Sequence, residues 1–155
     1  MTDTQPSPPN RLPLPSRIPF IESLGVELVE MADGKAVARM TPAPHHLNSW
    51  EVVHGGVLMT VLDFIMAMAG RSAQRRARGE PAAADAPAAT GQDSGGNITI
   101  EMKTSFLRPA RGRLTVTGRC LQPGRSLSFC EAEITDAEGA LIARASGTFK
   151  FWSKQ

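Results

Sequence analysis

Two stretches near the start of the chain, "GVELVEM" at 25–31 and "KAVARMT" at 35–41, alternate apolar and polar residues, and Ala32-Asp33-Gly34 breaks the alternation between them. A period of two is that of a half-buried strand, and a short break containing glycine closes a β-hairpin. After a loop with Pro42 and Pro44, the period changes. From 55 to 78 the apolar positions follow helical spacing, with Leu58, Val61, Leu62, Ile65 and Ala69 on one face. That stripe is wide enough to cover a sheet. Four further alternating segments, 97–107, 112–121, 125–135 and 140–151, are separated by Arg108-Pro109-Ala110-Arg111, Pro123-Gly124 and a turn at 136–139. The predicted order is β-β-α-β-β-β-β: an α+β domain in which short turns make the late strands antiparallel and the one long helix lies against them.

The chain has 155 residues, 41% of them hydrophobic, which suits a single domain with a substantial core. A net charge of +2 gives no surface built to cover phosphate backbones, so nucleic acid is not the expected partner. Residues 1–19 carry six prolines and no apolar run of signal-peptide length; they are expected to be a flexible leader to a domain at 20–155. The run at 57–69 is interrupted by Asp63 and is shorter than the roughly 20 residues of a membrane span, so no membrane partner is expected. Placing the hairpin turn at Gln122-Pro123-Gly124-Arg125 puts Cys130 opposite Thr117. Cys120 and Cys130 should then not face each other, which points to a reduced, cytoplasmic protein. The Ala-, Pro- and Gly-rich segment 79–96 is expected to be a flexible loop.

The helix carries one carboxylate. Opposite its sheet-facing stripe stand Gly56, Thr60, Asp63, Ala67 and Gly70, small residues around an acid, flanked by Val57, Phe64 and Met68. Small side chains permit close approach of another backbone, a ligand or a second copy of the helix, which would bury Asp63. An ionised carboxylate is costly to bury without a partner, and Arg39 is the only Lys or Arg between Lys35 and Arg71. Asp63 is too far along for an N-cap, leaving a functional carboxylate or one exposed at the helix rim. At the helix start, His54-Gly55-Gly56 offers free backbone N–H groups and the positive dipole end to an oxygen that becomes negative; a tight loop-to-helix entry explains the same tripeptide.

Asn48, His54-Gly55-Gly56 six positions later, Asp63 nine after His54, then "NITIEMKTSFLRPARG" and "GTFKF", together resemble the hotdog-fold acyl-CoA thioesterases of the phenylacetate-pathway (PaaI-like) family. The likeness spans 24–152. It implies a hotdog fold, a sheet wrapped around one long helix, and a homodimer with a continuous sheet that can pair into a tetramer. It also implies hydrolysis of a coenzyme A thioester of an aromatic or medium-chain acid, without a cofactor. By the same resemblance Asp63 is the catalytic acid, the Gly55 and Gly56 amides hold the thioester oxygen, Asn48 and His54 position the group, and Thr99 stands where a hydroxyl assists the water. One residue departs from the pattern: Glu51 occupies a position where the family usually has glycine, which bears on the loop geometry and adds a second carboxylate. Two other functions share the fold, an acyl-thioester hydratase or dehydratase and a non-catalytic acyl-CoA binding module.

Gly55 and Asp63 are eight residues apart on one helix, roughly 12 Å along its axis, and cannot both touch one carbonyl. Serving one reaction, they must come from two protomers, so the expected active unit is a dimer with composite sites. Asp63 would act as general base or as nucleophile forming an anhydride. Val57, Met59, Phe64 and Met66 are expected to wall the acyl pocket. Lys103, Arg108, Arg111, Arg113, Arg119 and Arg125 form a run without acids, from which Arg108 and Arg125 are the candidates for the phosphates of coenzyme A; a solvated strand face explains each singly. Arg71, Arg75, Arg76 and Arg78 suit the negative end of the helix dipole. The spacing of His45, His46 and His54 matches no metal site, and none is expected.

Overall fold

The computed structural model describes residues 11–80 and 96–152. Its elements are a short helix α1 (Pro19–Ser23), strands β1 (Glu27–Ala32) and β2 (Lys35–Met40), a 3₁₀ turn at Pro44–His46, the long helix α2 (Gly55–Ala77), and strands β3 (Gly96–Phe106), β4 (Leu114–Pro123), β5 (Leu127–Thr135) and β6 (Leu141–Trp152). All strands join one antiparallel sheet in the order β1-β2-β4-β5-β6-β3. The sheet wraps α2, as the hotdog resemblance implies. Leu58, Val61, Leu62, Ile65 and Ala69 are all buried against it.

Glycines set how closely helix and sheet approach. A Cβ on Gly118 of β4 would stand 2.6 Å from the Ile65 carbonyl oxygen, so only glycine lets α2 lie this near. Gly147 of β6 leaves a hole that Met66 fills, its Cε 3.3 Å from where a Cβ would be. In the β1–β2 turn, Asp33 (φ 50°) and Gly34 (φ 79°) both take positive φ, the signature of a type I′ hairpin. The Gly34 N–H donates to Ser72 Oγ at 2.9 Å, tying that turn to α2.

By length and composition α2 is apolar enough to cross a membrane, an 18-residue window within its 23 residues having mean hydropathy 1.3, although the interrupted run at 57–69 reads as too short. Its apolar side is already used: 61% of that window is buried within the protein. At its C-terminal end the arginines meet structural partners, Arg76 with Asp33 at 3.6 Å and Arg78 over the Phe151 ring at 4.4 Å.

Two expectations differ from the fold, and a third falls mostly beyond the described residues. Where a flexible leader and no regular element were expected, Leu12, Leu14 and Ile18 pack on the core, Leu12 N–H donates to the Leu28 carbonyl, and Pro19 opens α1. The expected loop at 79–96 lies, for residues 81–95, outside the described residues. Cys120 and Cys130 do face each other. The hairpin turn lies two residues beyond its expected place, closing through Gly124 N–H to the Leu127 carbonyl, and a bulge between Cys120 and Gln122 moves the pairing back by one, so Cys120 pairs with Cys130 and Thr117 with Glu133.

Candidate active site

The loop entering α2 folds back on itself. Leu47 bridges Val53, His54 N–H donates to the His46 carbonyl (2.8 Å), and Val53 N–H donates to that of Ala110 (3.1 Å). Asn48 closes the loop: its Oδ1 accepts from Trp50 N–H (2.9 Å), and its own N–H donates to the Val52 carbonyl. Asn48 thus positions the loop. Glu51 takes φ 57°, the left-handed conformation that glycine adopts most easily, which accounts for glycine being usual there. Its side chain is exposed and its carbonyl accepts from Arg111 Nη1 at 2.9 Å.

His54 is the N-cap of α2. Its Nδ1 accepts the Gly56 N–H at 2.9 Å, so that amide is occupied and does not supply the expected second free donor. Gly55 N–H has no partner among the described residues. The cap thus leaves one amide exposed at the positive end of a 23-residue helix, beside the ring of Phe106, which comes within 3.4 Å of a Gly55 Cβ position.

Two turns further on, Asp63 is half-buried, and Thr99 Oγ1 donates to its Oδ1 at 2.7 Å. A hydrogen bond this short fixes the rotamer of Asp63. Oδ2 accepts nothing among the described residues and is available to a water or a substrate. Thr99 reaches Asp63 because β3 runs antiparallel to α2 at the sheet edge; Asn97 Nδ2 holds the Ala67 carbonyl at 2.9 Å just before it.

Beside Asp63 opens an apolar groove of about 490 Å³. Met59, Phe64, Met68 and Met102 line it from α2 and β3, and Ile18 and Phe20 from the leader and α1. The residues expected to wall the acyl pocket divide between the core and this groove. Met59 and Phe64 are there, whereas Val57 is not among the lining residues and Met66 is fully buried in the hole opposite Gly147. Gly70 is not on the open stripe either. It is buried against β3 and β5, where a Cβ would meet Asn97 Nδ2 at 2.7 Å and Ser128 Oγ at 2.9 Å. The contribution of α1 is invisible to periodicity in five residues, although Pro19 ahead of Phe20 and Ile21 is a helix-start signal.

The two candidate phosphate ligands lie apart. Arg108 follows β3 at the Gly55 end, its Nη1 bonded to the Leu141 carbonyl at 2.7 Å, while Arg125 sits in the β4–β5 turn next to Ser126, whose carbonyl holds Phe151 N–H. Leu141 and Phe151 are ten residues apart on one strand, about 33 Å, so one coenzyme A cannot reach both arginines of a chain at the same phosphate. Among the described residues no group of three His, Cys, Asp or Glu lies together.

A family model for the thioesterase superfamily matches residues 51–143. The chain belongs to that superfamily. It is 27% identical over 126 residues to acyl-coenzyme A thioesterase 13 of Homo sapiens, covering 79% of this chain and 77% of that one. Among solved structures it is similar to a conserved protein of Pseudomonas aeruginosa (TM-score 0.73, 26% identity, 89% and 97% of the chains covered). It is also similar to the E. coli PaaI protein from the phenylacetic acid degradation operon (0.72, 22%, 90% and 88%). The protein is a thioester hydrolase with a hotdog fold. In a thioesterase, an exposed amide at a helix start and an oriented carboxylate are the two parts that acyl transfer to water requires.

Proposed function

We propose that this thioesterase hydrolyses coenzyme A thioesters of aromatic or medium-chain acids at two composite sites of a homodimer. The observation that carries the proposal is the Thr99-held carboxylate of Asp63 opening on an apolar groove of about 490 Å³, a size suited to such an acyl group. The thioester carbonyl rests on the partner's Gly55 N–H. Asp63, with Oδ1 held by Thr99, acts through Oδ2, either taking a proton from water or attacking the carbonyl carbon; both routes need it ionised. The oxyanion is stabilised by the amide and helix dipole, and coenzyme A leaves as the thiol.

Edge strand β3 supports the dimer. Among the described residues no strand pairs with its outer side, and it exposes Ile98, Ile100 and Phe106. Along it, Thr99 stands at Asp63 and Phe106 at Gly55. Antiparallel pairing of two such edges about a two-fold axis brings the Thr99 end of one beside the Phe106 end of the other, and with it each carboxylate towards the partner's Gly55. Arg108, at the Gly55 end, is our candidate to meet a coenzyme A phosphate; pairing of dimers would give the tetramer. We assign the activity to the cytoplasm, a reducing compartment in which Cys120 and Cys130 rest as free thiols.

The test is release of free thiol from a panel of acyl-CoAs. Turnover of aromatic or medium-chain substrates is expected; hydration of an enoyl substrate without thiol release would assign a hydratase, and binding without turnover an acyl-CoA binding module.

A further inference from the structure

Cys120 and Cys130 are cross-strand partners, and both are free thiols. They lie on the sheet face that meets α2. Cys130 Sγ stands 3.4 Å from where a Cβ on Gly70 would be, and Cys120 Cβ 3.6 Å from the equivalent point on Gly34. Directly opposed residues of an antiparallel pair have Cα atoms about 4.5–5.5 Å apart, inside the span that a disulfide bridges.

The two thiols are not equivalent. Cys120 is half-buried, whereas Cys130 is buried with its Sγ 4.0 Å from Ser128 Oγ. The Cys130 thiol, as hydrogen-bond donor, holds Cys120 below its ordinary value, and the same contact together with burial pushes Cys130 up. Cys120 is therefore the nucleophile and the more reachable of the two. Gly70 and Ser128 crowd Cys130 and leave little room there for an oxidised adduct.

We infer that Cys120 and Cys130 form a peroxide-responsive dithiol that closes to an intramolecular disulfide across the β4–β5 hairpin. The Cys120 thiolate attacks one oxygen of hydrogen peroxide; the O–O bond breaks, hydroxide leaves, and a sulfenic acid forms. The Cys130 sulfur then attacks the Cys120 sulfur, the S–O bond breaks, and the Cys130 proton leaves with the hydroxyl as water. Two thiols lose two hydrogens, one peroxide is reduced to two waters, and a thiol reductant reverses the result. This inference does not depend on the thioesterase reading.

The experiment treats the reduced full-length protein with hydrogen peroxide, alkylates the remaining thiols under denaturing conditions, and maps tryptic peptides. Cleavage after Arg119, Arg125 and Arg144 separates the cysteines into peptides 120–125 and 126–144. The expected result is loss of both alkylation sites together, a mass lower by two hydrogens, the two peptides linked, and recovery with dithiothreitol. Cys130→Ser should leave a sulfenic acid on Cys120 that dimedone traps, and Cys120→Ser should leave Cys130 reduced at the same peroxide dose. Oxygen added to either cysteine without the linked peptide, two thiols that remain alkylatable, or oxidation of Cys130 at the wild-type rate in Cys120→Ser would overturn it.

Discussion

Thr99 and Asp63, thirty-six residues apart, are joined by a 2.7 Å hydrogen bond from Thr99 Oγ1 to Asp63 Oδ1. The bond spans the edge strand and the long helix and fixes one carboxylate oxygen while leaving the other available. If Asp63 is the reacting carboxylate, Asp63→Asn should lower kcat by about a thousandfold while circular dichroism and acyl-CoA binding stay unchanged. Wild-type-like turnover would remove Asp63 from the mechanism.

Thr99→Ala withdraws a charge-assisted bond worth about 1.5 kcal/mol, so kcat should fall about tenfold with little change in KM, and Thr99→Ser should recover most of it. Steady-state kinetics of the three proteins check this. An alanine variant at full rate would mean that Asp63 is oriented by other contacts.

Glu51 occupies a left-handed backbone position at φ 57°. Glu51→Gly relieves that strain and loosens the unfolded chain, with a net gain of at most about 1 kcal/mol. Urea midpoints measure it, and a lower midpoint in the glycine variant would show that the Glu51 side chain makes a compensating contact.

Gly118→Ala forces a Cβ to within 2.6 Å of the Ile65 carbonyl oxygen, a backbone atom that cannot rotate away. A loss of about 2 kcal/mol is expected in denaturant unfolding. Unchanged stability would show that α2 can lift from β4 freely.

His46 is buried, its Nδ1 accepts the Ala43 N–H at 3.0 Å, and desolvation lowers its pKa from 6.5, with His45 adding to the effect. The unfolded chain therefore binds this proton at a higher pH than the folded one does, so stability should fall as pH drops below about 6.5. His46→Asn keeps an acceptor for Ala43 and cannot titrate; its urea midpoint should change less between pH 7.5 and 5.5 than that of the wild type.

Much of this was legible in the residues. Alternation located all six strands, and helical spacing located α2, with His54 and Gly55 at its start and Asp63 beside Thr99. What escaped depends on contacts between distant segments. Periodicity assigns Met66 a side of the helix but does not reveal the hole above Gly147 that draws it inward. The place of the β4–β5 turn and a one-residue bulge at Leu121 leave no pattern of their own, yet together they turn two separated cysteines into partners. His54 capping Gly56, which leaves Gly55 as the exposed amide, is a side-chain rotamer no tripeptide records.

The composite site is tested most directly by complementation. Asp63→Asn removes the carboxylate; Gly55→Pro removes the amide at the first helical position, where proline is tolerated and where the preceding residue, at φ −59° and ψ 136°, already suits it. Each variant alone should be inactive. Refolded together in equal amounts, half the dimers are mixed, and each mixed dimer has one intact site, so about a quarter of the wild-type rate should return. No recovery, with mixed dimers present by native mass spectrometry, would contradict the account.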